Sequence, residues 1–309
     1  MNADWPRRAA EAPYTSFVNV KGQRLWTSIQ GKGESVPLLL IMGFGGNLEL
    51  WRPFRRALGP YETIAFDLPG MGRSPVARRP LRARAVADLV LGLLDELGYD
   101  QVDVLGVSMG GGLAQQLAHQ APHRVRKLIL CATTVGAGGL PGDPRVLLPL
   151  LNPVGAARFI SQAMRGFYTA QRSDPELRAD LLRFMRTSRP SGYASLAQLY
   201  AVTGWTSLPW VRSLHLPTLV MAGDDDHVVP PFNSRLLNRL IKGSRLYTVK
   251  GGGHLFLGFQ AGEAAGVIRE FLTATDVRFD DETKPARARG RRRGLRVMGC
   301  GLPNIFKLA

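Results

Sequence analysis

The sequence predicts an α/β protein built on an open, mostly parallel β-sheet flanked by helices, and three observations lead to this prediction. Continuous apolar runs of strand length, such as PLLLIM at 37–42, are typical of strands buried on both faces of a parallel sheet. These runs alternate with segments of helical periodicity, as they do where crossover helices join parallel strands. The alternation stops over residues 137–212, where several helical patches follow one another. This break predicts a helical cap inserted into the sheet domain.

The individual elements follow from hydrophobic period and from Gly and Pro punctuation. Two short strands alternate over residues 15–30 around Lys21-Gly22. Further strands are predicted at 37–42, 63–69, 101–107, 127–133, 217–222 and 245–250. Helices are predicted at 47–58, 82–97, 109–120, after Pro230 and near 262–273, and helical patches of the cap at 144–151, 156–168, 175–186 and 195–202.

These elements divide the chain into four parts. We expect a flexible N-terminus (1–14), an α/β core formed by 15–136 and 213–275, the cap (137–212) and a basic, disordered tail (276–309). With 309 residues and 45% hydrophobic content, the chain can bury the core of one large domain with an insertion.

The net charge of +16 is unevenly distributed along the chain. Eight of these charges lie in residues 284–309, which contain no acidic residue. Such a run is typical of a solvated tail, with contact to an anionic surface as the alternative, and nucleic acid is not an expected partner.

Several functional classes lack their sequence signals. The N-terminus has no apolar stretch of the kind a secretory signal needs, and no segment approaches the roughly 20 apolar residues of a membrane span. We therefore expect a cytoplasmic protein with no transmembrane segment. Cys131 and Cys300 are not expected to form a disulfide. No Cys/His cluster has metal spacing and no phosphate-binding loop is complete, so we expect neither a metal nor another cofactor.

The first candidate for chemistry is Ser108, in the stretch Gly106-Val107-Ser108-Met109-Gly110. This stretch follows a predicted strand and opens a predicted helix, which is the setting of a G-x-S-x-G nucleophile elbow. Glycines on both sides allow the sharp turn that would expose the hydroxyl. Taken alone, the motif is equally compatible with a serine that caps a helix.

A serine nucleophile needs a base, and His254 is the best candidate. It lies in the glycine-rich stretch KGGGHLFLG after a predicted strand, which leaves the imidazole room to reach inward. The remaining histidines are poorer candidates: His119 and His123 near the end of the elbow helix, His215 before a strand on the opposite edge, and His227, which has no flexible approach to the serine.

The base in turn needs a carboxylate that fixes its tautomer, and three acidic residues in the stretch AGDDDHVVP are candidates. Side chains alternate in an extended segment, so Asp224 and Asp226 should share one face and Asp225 the other. Alternation therefore removes either Asp225 or both Asp224 and Asp226 from the site, and it does not choose further. The chain order serine, aspartate, histidine is that of the α/β-hydrolases.

Acyl transfer also requires donors for the developing oxyanion. We assign the backbone N–H groups of Met109, directly after the nucleophile candidate, and of Phe44, in the Gly-rich loop after the strand at 37–42. An ordinary glycine turn is the alternative for this loop.

With these motifs placed, the chain resembles the α/β-hydrolase superfamily and, within it, the intracellular medium-chain-length poly(3-hydroxyalkanoate) depolymerases. The resemblance covers roughly residues 15–275. It is carried by GGNLELWRPF, IAFDLPGMGRS, GVSMGGGLAQQLAH, ATTVGAGGLPGDPRVL, GWTSLPWVRSLHLPTLVMAGDDDHVVP and GGGHLFL. In this family the acid is the third residue after the glycine at the strand end, so the resemblance selects Asp226. The chain departs from the family at Met109, where a tryptophan is frequent, and at His227, where a proline is found.

The resemblance implies a serine ester hydrolase that cleaves a hydrophobic 3-hydroxyacyl polyester or a small ester through an acyl-enzyme, with Ser108, Asp226 and His254 as its triad. The implied partner is the polyester granule surface, so the cytoplasmic enzyme would be granule-associated. One alternative is a small-molecule esterase or C–C bond hydrolase of the same fold. Another is a non-catalytic protein that binds granules or anionic surfaces.

Overall fold

A computed structural model describes residues 10–32, 35–147, 175–187 and 191–274. Within them, eight strands form one sheet in the order β1-β2-β4-β3-β5-β6-β7-β8. The strands are β1 (Ala10–Val20), β2 (Gln23–Gly31), β3 (Leu38–Ile41), β4 (Thr63–Phe66), β5 (Val102–Val107), β6 (Val125–Cys131), β7 (Thr218–Gly223) and β8 (Arg245–Val249). β2 pairs antiparallel with β1 and β4, whereas all pairs from β4 to β8 are parallel. The predicted mostly parallel sheet is therefore confirmed.

Helices connect the parallel strands, as the alternation predicts. They are α1 (Arg52–Leu58), α2 (Ala83–Leu97), α3 (Met109–Gln120), α4 (Pro144–Leu147), α5 (Pro175–Thr187), α6 (Gly192–Val202), α7 (Phe232–Leu240), α8 (Phe256–Phe259) and α9 (Ala261–Thr273), with 3-10 turns at Leu48–Trp51, Pro122–Arg124 and Val211–Ser213. All helices predicted for the α/β core are present within a few residues of their expected limits. Among the described residues, every helix is too short or too polar to cross a bilayer.

The N-terminal strand begins earlier than the sequence predicts. β1 starts at Ala10, which is paired with Gly31, so residues 10–14 do not belong to a flexible N-terminus. The register shifts between Ala10 and Tyr14, and Pro13 lies within this irregular stretch. Proline and a bulge are tolerated on an edge strand because its outer side makes no ladder hydrogen bonds. The irregularity hides the strand from an analysis of alternation.

The core lies between the sheet and its helices. Every residue of β3, β4 and β5 is buried, as expected for strands covered on both faces. On α2, the predicted apolar face, which includes Val90, Leu93 and Leu94, is buried against this sheet. Each such aliphatic side chain stabilises the fold by roughly 1.5–3 kcal/mol relative to an exposed one. This packing gives the carboxyl ends of the strands a rigid support.

The insertion between β6 and β7 is helical where it is described. α4, α5 and α6 fall within the predicted patches at 144–151, 175–186 and 195–202 or overlap them closely. The predicted patch at 156–168 lies outside the described residues, and so does the predicted basic tail at 276–309. The division of the chain into α/β core and cap stays a prediction.

Candidate active site

Ser108 sits in a strained turn between β5 and α3. Its backbone has φ 54° and ψ −123°, a conformation that residues with a side chain rarely adopt. The two flanking glycines make the turn possible. A Cβ at Gly106 would lie 2.3 Å from the carbonyl oxygen of Gly110, and a Cβ at Gly110 would lie 2.2 Å from that of Ile41. The predicted nucleophile elbow is therefore present in backbone geometry.

Asp226 and His254 form a hydrogen-bonded pair at the same carboxyl edge of the sheet. The distance from His254 Nδ1 to Asp226 Oδ2 is 2.8 Å, and the other carboxylate oxygen, Oδ1, accepts from the N–H groups of Val228 and Val229, both at 2.9 Å. Because the carboxylate only accepts, the imidazole carries its proton on Nδ1, which leaves Nε2 free to accept another. The 3% exposure of Asp226 shields this interaction from water.

The expectation that Asp224 shares a face with Asp226 is wrong, because the extended backbone ends just before Asp224. Asp224 and Asp225 lie in a turn, where their N–H groups donate to the carbonyls of Val249 (3.1 Å) and Gly252 (3.0 Å). Both side chains are exposed, whereas that of Asp226 is buried. Of the three aspartates, it is Asp226, the residue that the family resemblance implies, whose carboxylate lies 2.8 Å from His254 Nδ1.

The other histidines lie away from this arrangement. His227 is exposed and pairs with Asp225, with 3.1 Å between Nε2 and Oδ1. His119 stacks on Trp210, with 4.1 Å between ring centroids. His123 and His215 are also exposed. None of them contacts Asp226 through a hydrogen bond among the described residues.

The two N–H groups assigned to an oxyanion hole come from neighbouring backbone segments. Phe44 lies in the turn Gly43–Gly46, closed by a 3.2 Å hydrogen bond from the N–H of Gly46 to the carbonyl of Gly43. A Cβ at Gly43 would lie 3.0 Å from Cβ of Ser108, so this turn packs directly on the serine. Within the described part of the chain, neither the Phe44 nor the Met109 N–H donates to a protein acceptor. Both donors are available to a ligand.

A mostly apolar pocket opens beside these groups. Three of its lining residues, Met42, Val107 and Leu255, are chain neighbours of the turn, the serine and the histidine. Leu177 and Leu181 of α5 line the opposite side. The sequence shows the amphipathic period of α5 but does not reveal the pocket, because the residues that line the pocket are far apart in the chain.

Asp67 directly follows β4, at the same carboxyl edge of the sheet. One carboxylate oxygen accepts from the N–H of Leu48 and the other from that of Arg73, both at 2.8 Å. Burial raises the pKa of Asp67 from 3.8 to about 6, against the opposing effect of these two donors. Sequence analysis missed this residue, because a single aspartate after a strand carries no signal of its two loop contacts.

The described residues include one of the two cysteines. Cys131 is buried at the end of β6, and burial raises the pKa of its thiol well above the ordinary value, which disfavours the nucleophilic thiolate. Cys300 lies outside the described residues. No three His, Cys, Asp or Glu side chains are grouped to hold a metal ion anywhere the structure is described.

Comparison with known proteins gives consistent matches. The family model for the alpha/beta hydrolase fold matches residues 36–261. A poly(3-hydroxyalkanoate) depolymerase from Ectopseudomonas oleovorans is 42% identical over 274 residues, covering 87% of this chain and 96% of the relative. The 2-hydroxymuconate semialdehyde hydrolase of Pseudomonas sp. strain CF600 is 28% identical, and the match covers 81% of this chain and 91% of that hydrolase. Among solved structures, the enol-lactonase from Burkholderia xenovorans LB400 superposes with a TM-score of 0.70 at 25% identity, covering 84% of this chain and all of that one.

Proposed function

This chain belongs to the alpha/beta-hydrolase fold family, and on that premise we propose that it is a serine ester hydrolase acting as an intracellular poly(3-hydroxyalkanoate) depolymerase. One observation carries the proposal. Ser108, in its strained turn, and a hydrogen-bonded pair of buried Asp226 and half-buried His254 lie at the carboxyl ends of β5, β7 and β8 in one sheet. The 42% identical depolymerase and the apolar pocket support a hydrophobic polyester as substrate.

In the proposed reaction, Ser108 Oγ attacks the ester carbonyl while Nε2 of His254 takes the hydroxyl proton. The negative charge that develops on the carbonyl oxygen is stabilised by the N–H groups of Phe44 and Met109. Asp226 keeps the imidazole in the productive tautomer and stabilises its charged form. Collapse of the tetrahedral intermediate expels the alkoxide of the departing hydroxyacyl chain, which takes the proton from His254.

The second half of the reaction reverses these roles. Water replaces the departed alcohol, His254 removes its proton, and the hydroxide attacks the acyl-enzyme carbonyl in the same oxyanion hole. When this second tetrahedral intermediate collapses, the bond between the acyl carbon and Ser108 Oγ breaks, His254 returns the proton to Oγ, and the hydroxyacid is released. The pocket lined by Leu177 and Leu181 would hold the aliphatic side chain of the 3-hydroxyacyl group, because burial of each methylene contributes about 0.8 kcal/mol.

The test is hydrolysis by the purified protein of a medium-chain-length polyester and of short p-nitrophenyl esters. We expect release of 3-hydroxyacids from the polyester, and loss of both activities in Ser108→Ala. Activity that persists in Ser108→Ala would refute the mechanism. Turnover of soluble esters, or cleavage of a C–C bond beside a ketone, without attack on the polyester would favour a small-molecule hydrolase, the class of the 28% identical relative.

The proposed location is the cytoplasm, at the surface of polyester granules. Deletion of residues 284–309 tests whether the basic tail provides the attachment, with granule co-sedimentation as the measurement. Lost sedimentation with intact ester turnover would show that the tail localises an enzyme. Full-length protein that binds granules but hydrolyses no ester would favour the non-catalytic alternative.

A further inference from the structure

A glutamine of the cap region contacts the turn that carries one of the proposed oxyanion donors. Gln198 lies on α6, is 5% exposed, and its Oε1 accepts the N–H of Gly45 at 2.9 Å. Gly45 directly follows Phe44 in the turn Gly43–Gly46. Its φ of 70° puts it in the left-handed region, where a glycine is needed and where the orientation of the adjoining peptide groups is decided.

The helix that carries this glutamine is fixed to the α/β core by independent contacts. Arg82 Nη1 donates to the carbonyls of Tyr200 (3.0 Å) and Thr203 (2.8 Å), and its guanidinium lies 3.8 Å from the Tyr200 ring centroid. Nearer the start of α6, the Cβ of Ala194 would lie only 2.8 Å from a Cβ at Gly70. These contacts leave α6 little freedom, so its glutamine amide is held in place from the cap side.

The amide of Gln198 is only half satisfied. While Oε1 is engaged by Gly45, Nε2 is buried without a hydrogen-bond partner among the described residues. An unsatisfied buried donor costs about 1–3 kcal/mol, and an apolar side chain of the same shape would avoid that cost. Packing alone therefore does not account for a glutamine here. The engaged acceptor is the feature that an apolar side chain would lack.

We infer that Gln198 is a positioning residue for the oxyanion hole: it fixes the Phe44–Gly45 peptide through the Gly45 N–H, and thereby holds the adjoining Gly43–Phe44 peptide, which presents the Phe44 N–H. The inference rests on the proposed function. Gln198 also lines a small pocket together with Met109, the residue that carries the second proposed donor. Loss of the acceptor would remove the hydrogen bond that holds the Phe44–Gly45 peptide from the side of α6, and the adjoining Phe44 N–H would be aligned less tightly with the carbonyl oxygen. Because the misalignment matters most when charge develops, it should affect kcat more than KM.

The test compares Gln198→Met with the wild-type enzyme in hydrolysis of p-nitrophenyl butyrate. Removal of an oxyanion donor costs about 10²- to 10³-fold in kcat, so misalignment of one should cost about 10- to 100-fold, with KM changed by less than about threefold. A trifluoromethyl ketone, which forms a tetrahedral adduct with a serine, should lose affinity in parallel with kcat/KM. Gln198→Glu, which keeps an oxygen acceptor for Gly45, should recover most of the lost kcat.

Gln116→Met is the matched control, because Gln116 is also a buried glutamine whose Oε1 accepts a hydrogen bond, from Trp205 Nε1 at 2.7 Å. We expect this variant to lower the melting temperature without a selective loss of kcat. If Gln198→Met does not fold, Gln198→Asn replaces it, since its amide ends one methylene short of Gly45.

Two outcomes separate the inference from the proposed function. If the wild-type enzyme hydrolyses the ester but Gln198→Met or Gln198→Asn keeps kcat within twofold of the wild-type value, the inference alone is overturned. The same conclusion follows if Gln198→Glu recovers none of the lost kcat. A wild-type protein with no ester hydrolysis overturns the proposed function and the inference together.

Discussion

Replacement of Asp226 by asparagine gives a sharp test of the proposed triad, because the structure fixes which way the new amide must point. Two backbone donors, the N–H groups of Val228 and Val229, converge on Oδ1 at 2.9 Å. In Asp226→Asn the amide oxygen will occupy that position, so the NH₂ group of the new side chain will face Nδ1 of His254. The imidazole must then accept at Nδ1 and carry its proton on Nε2, where it cannot take the proton of Ser108.

The size of the effect follows from the alternative orientation. A flipped amide would restore the productive tautomer but leave two part-buried N–H groups facing an NH₂, at about 1–3 kcal/mol each. At roughly 1.4 kcal/mol per factor of ten, the productive population falls by about 30-fold to 10⁴-fold. We expect kcat for a p-nitrophenyl ester to fall within this range, with KM little changed and with the far-ultraviolet circular dichroism spectrum unaltered.

Asp225→Asn and Asp224→Asn are the matched controls, since both side chains are exposed in the same turn. Each should keep kcat within about twofold of the wild-type value. If Asp226→Asn loses less than tenfold, or if Asp224→Asn is the severe variant, the assignment of Asp226 as the orienting carboxylate is incorrect.

Two further predictions concern the scaffold of the site. Asp67 has its pKa raised to about 6 in the folded protein from 3.8, so its contribution to stability is greatest below pH 4 and falls by about 3 kcal/mol as the pH rises through 6. Urea unfolding between pH 4 and pH 7 should show wild-type stability falling relative to Asp67→Asn by up to that amount, and parallel curves would contradict the assignment. Gly110→Ala would place a Cβ 2.2 Å from the Ile41 carbonyl oxygen, so we expect a lower melting temperature and at least a tenfold loss of kcat. Gly262→Ala, with no atom within 4 Å of its Cβ on α9, should instead stabilise the fold by about 0.5–1 kcal/mol, and equal behaviour of the two variants would refute the steric argument.

Local signals in the sequence were sufficient for most of the fold. Apolar runs of strand length and the helical period of α2 depend only on neighbours in the chain, and both were placed within a few residues. The same holds for Ser108, because an elbow between strand and helix is a local motif. The family resemblance was confirmed by the 42% identical relative and by the matching family model.

The remaining features depend on contacts between distant segments. The contact of Asp226 with His254 follows a turn whose hydrogen bonds go to the last residue of β8 and to the loop after it, which alternation does not describe. Gln198 meets Gly45 across 153 positions of chain, so nothing near either residue reveals the contact. The start of β1 was missed because a bulge and a proline interrupt its pattern.

The position of the inserted helices has a consequence for how this scaffold can change. Ser108, Asp226 and His254 follow strands of one sheet, so strand register sets their spacing, and the inserted helices α4 to α6 can vary without moving the strands. Such a segment could be exchanged as a module to alter which acyl groups are accepted. If Gln198 orients the oxyanion turn as proposed, that exchange would also replace a determinant of turnover. Exchange of the segment would then change acyl-group selectivity and turnover rate together. A grafted cap would need its own acceptor for the Gly45 N–H.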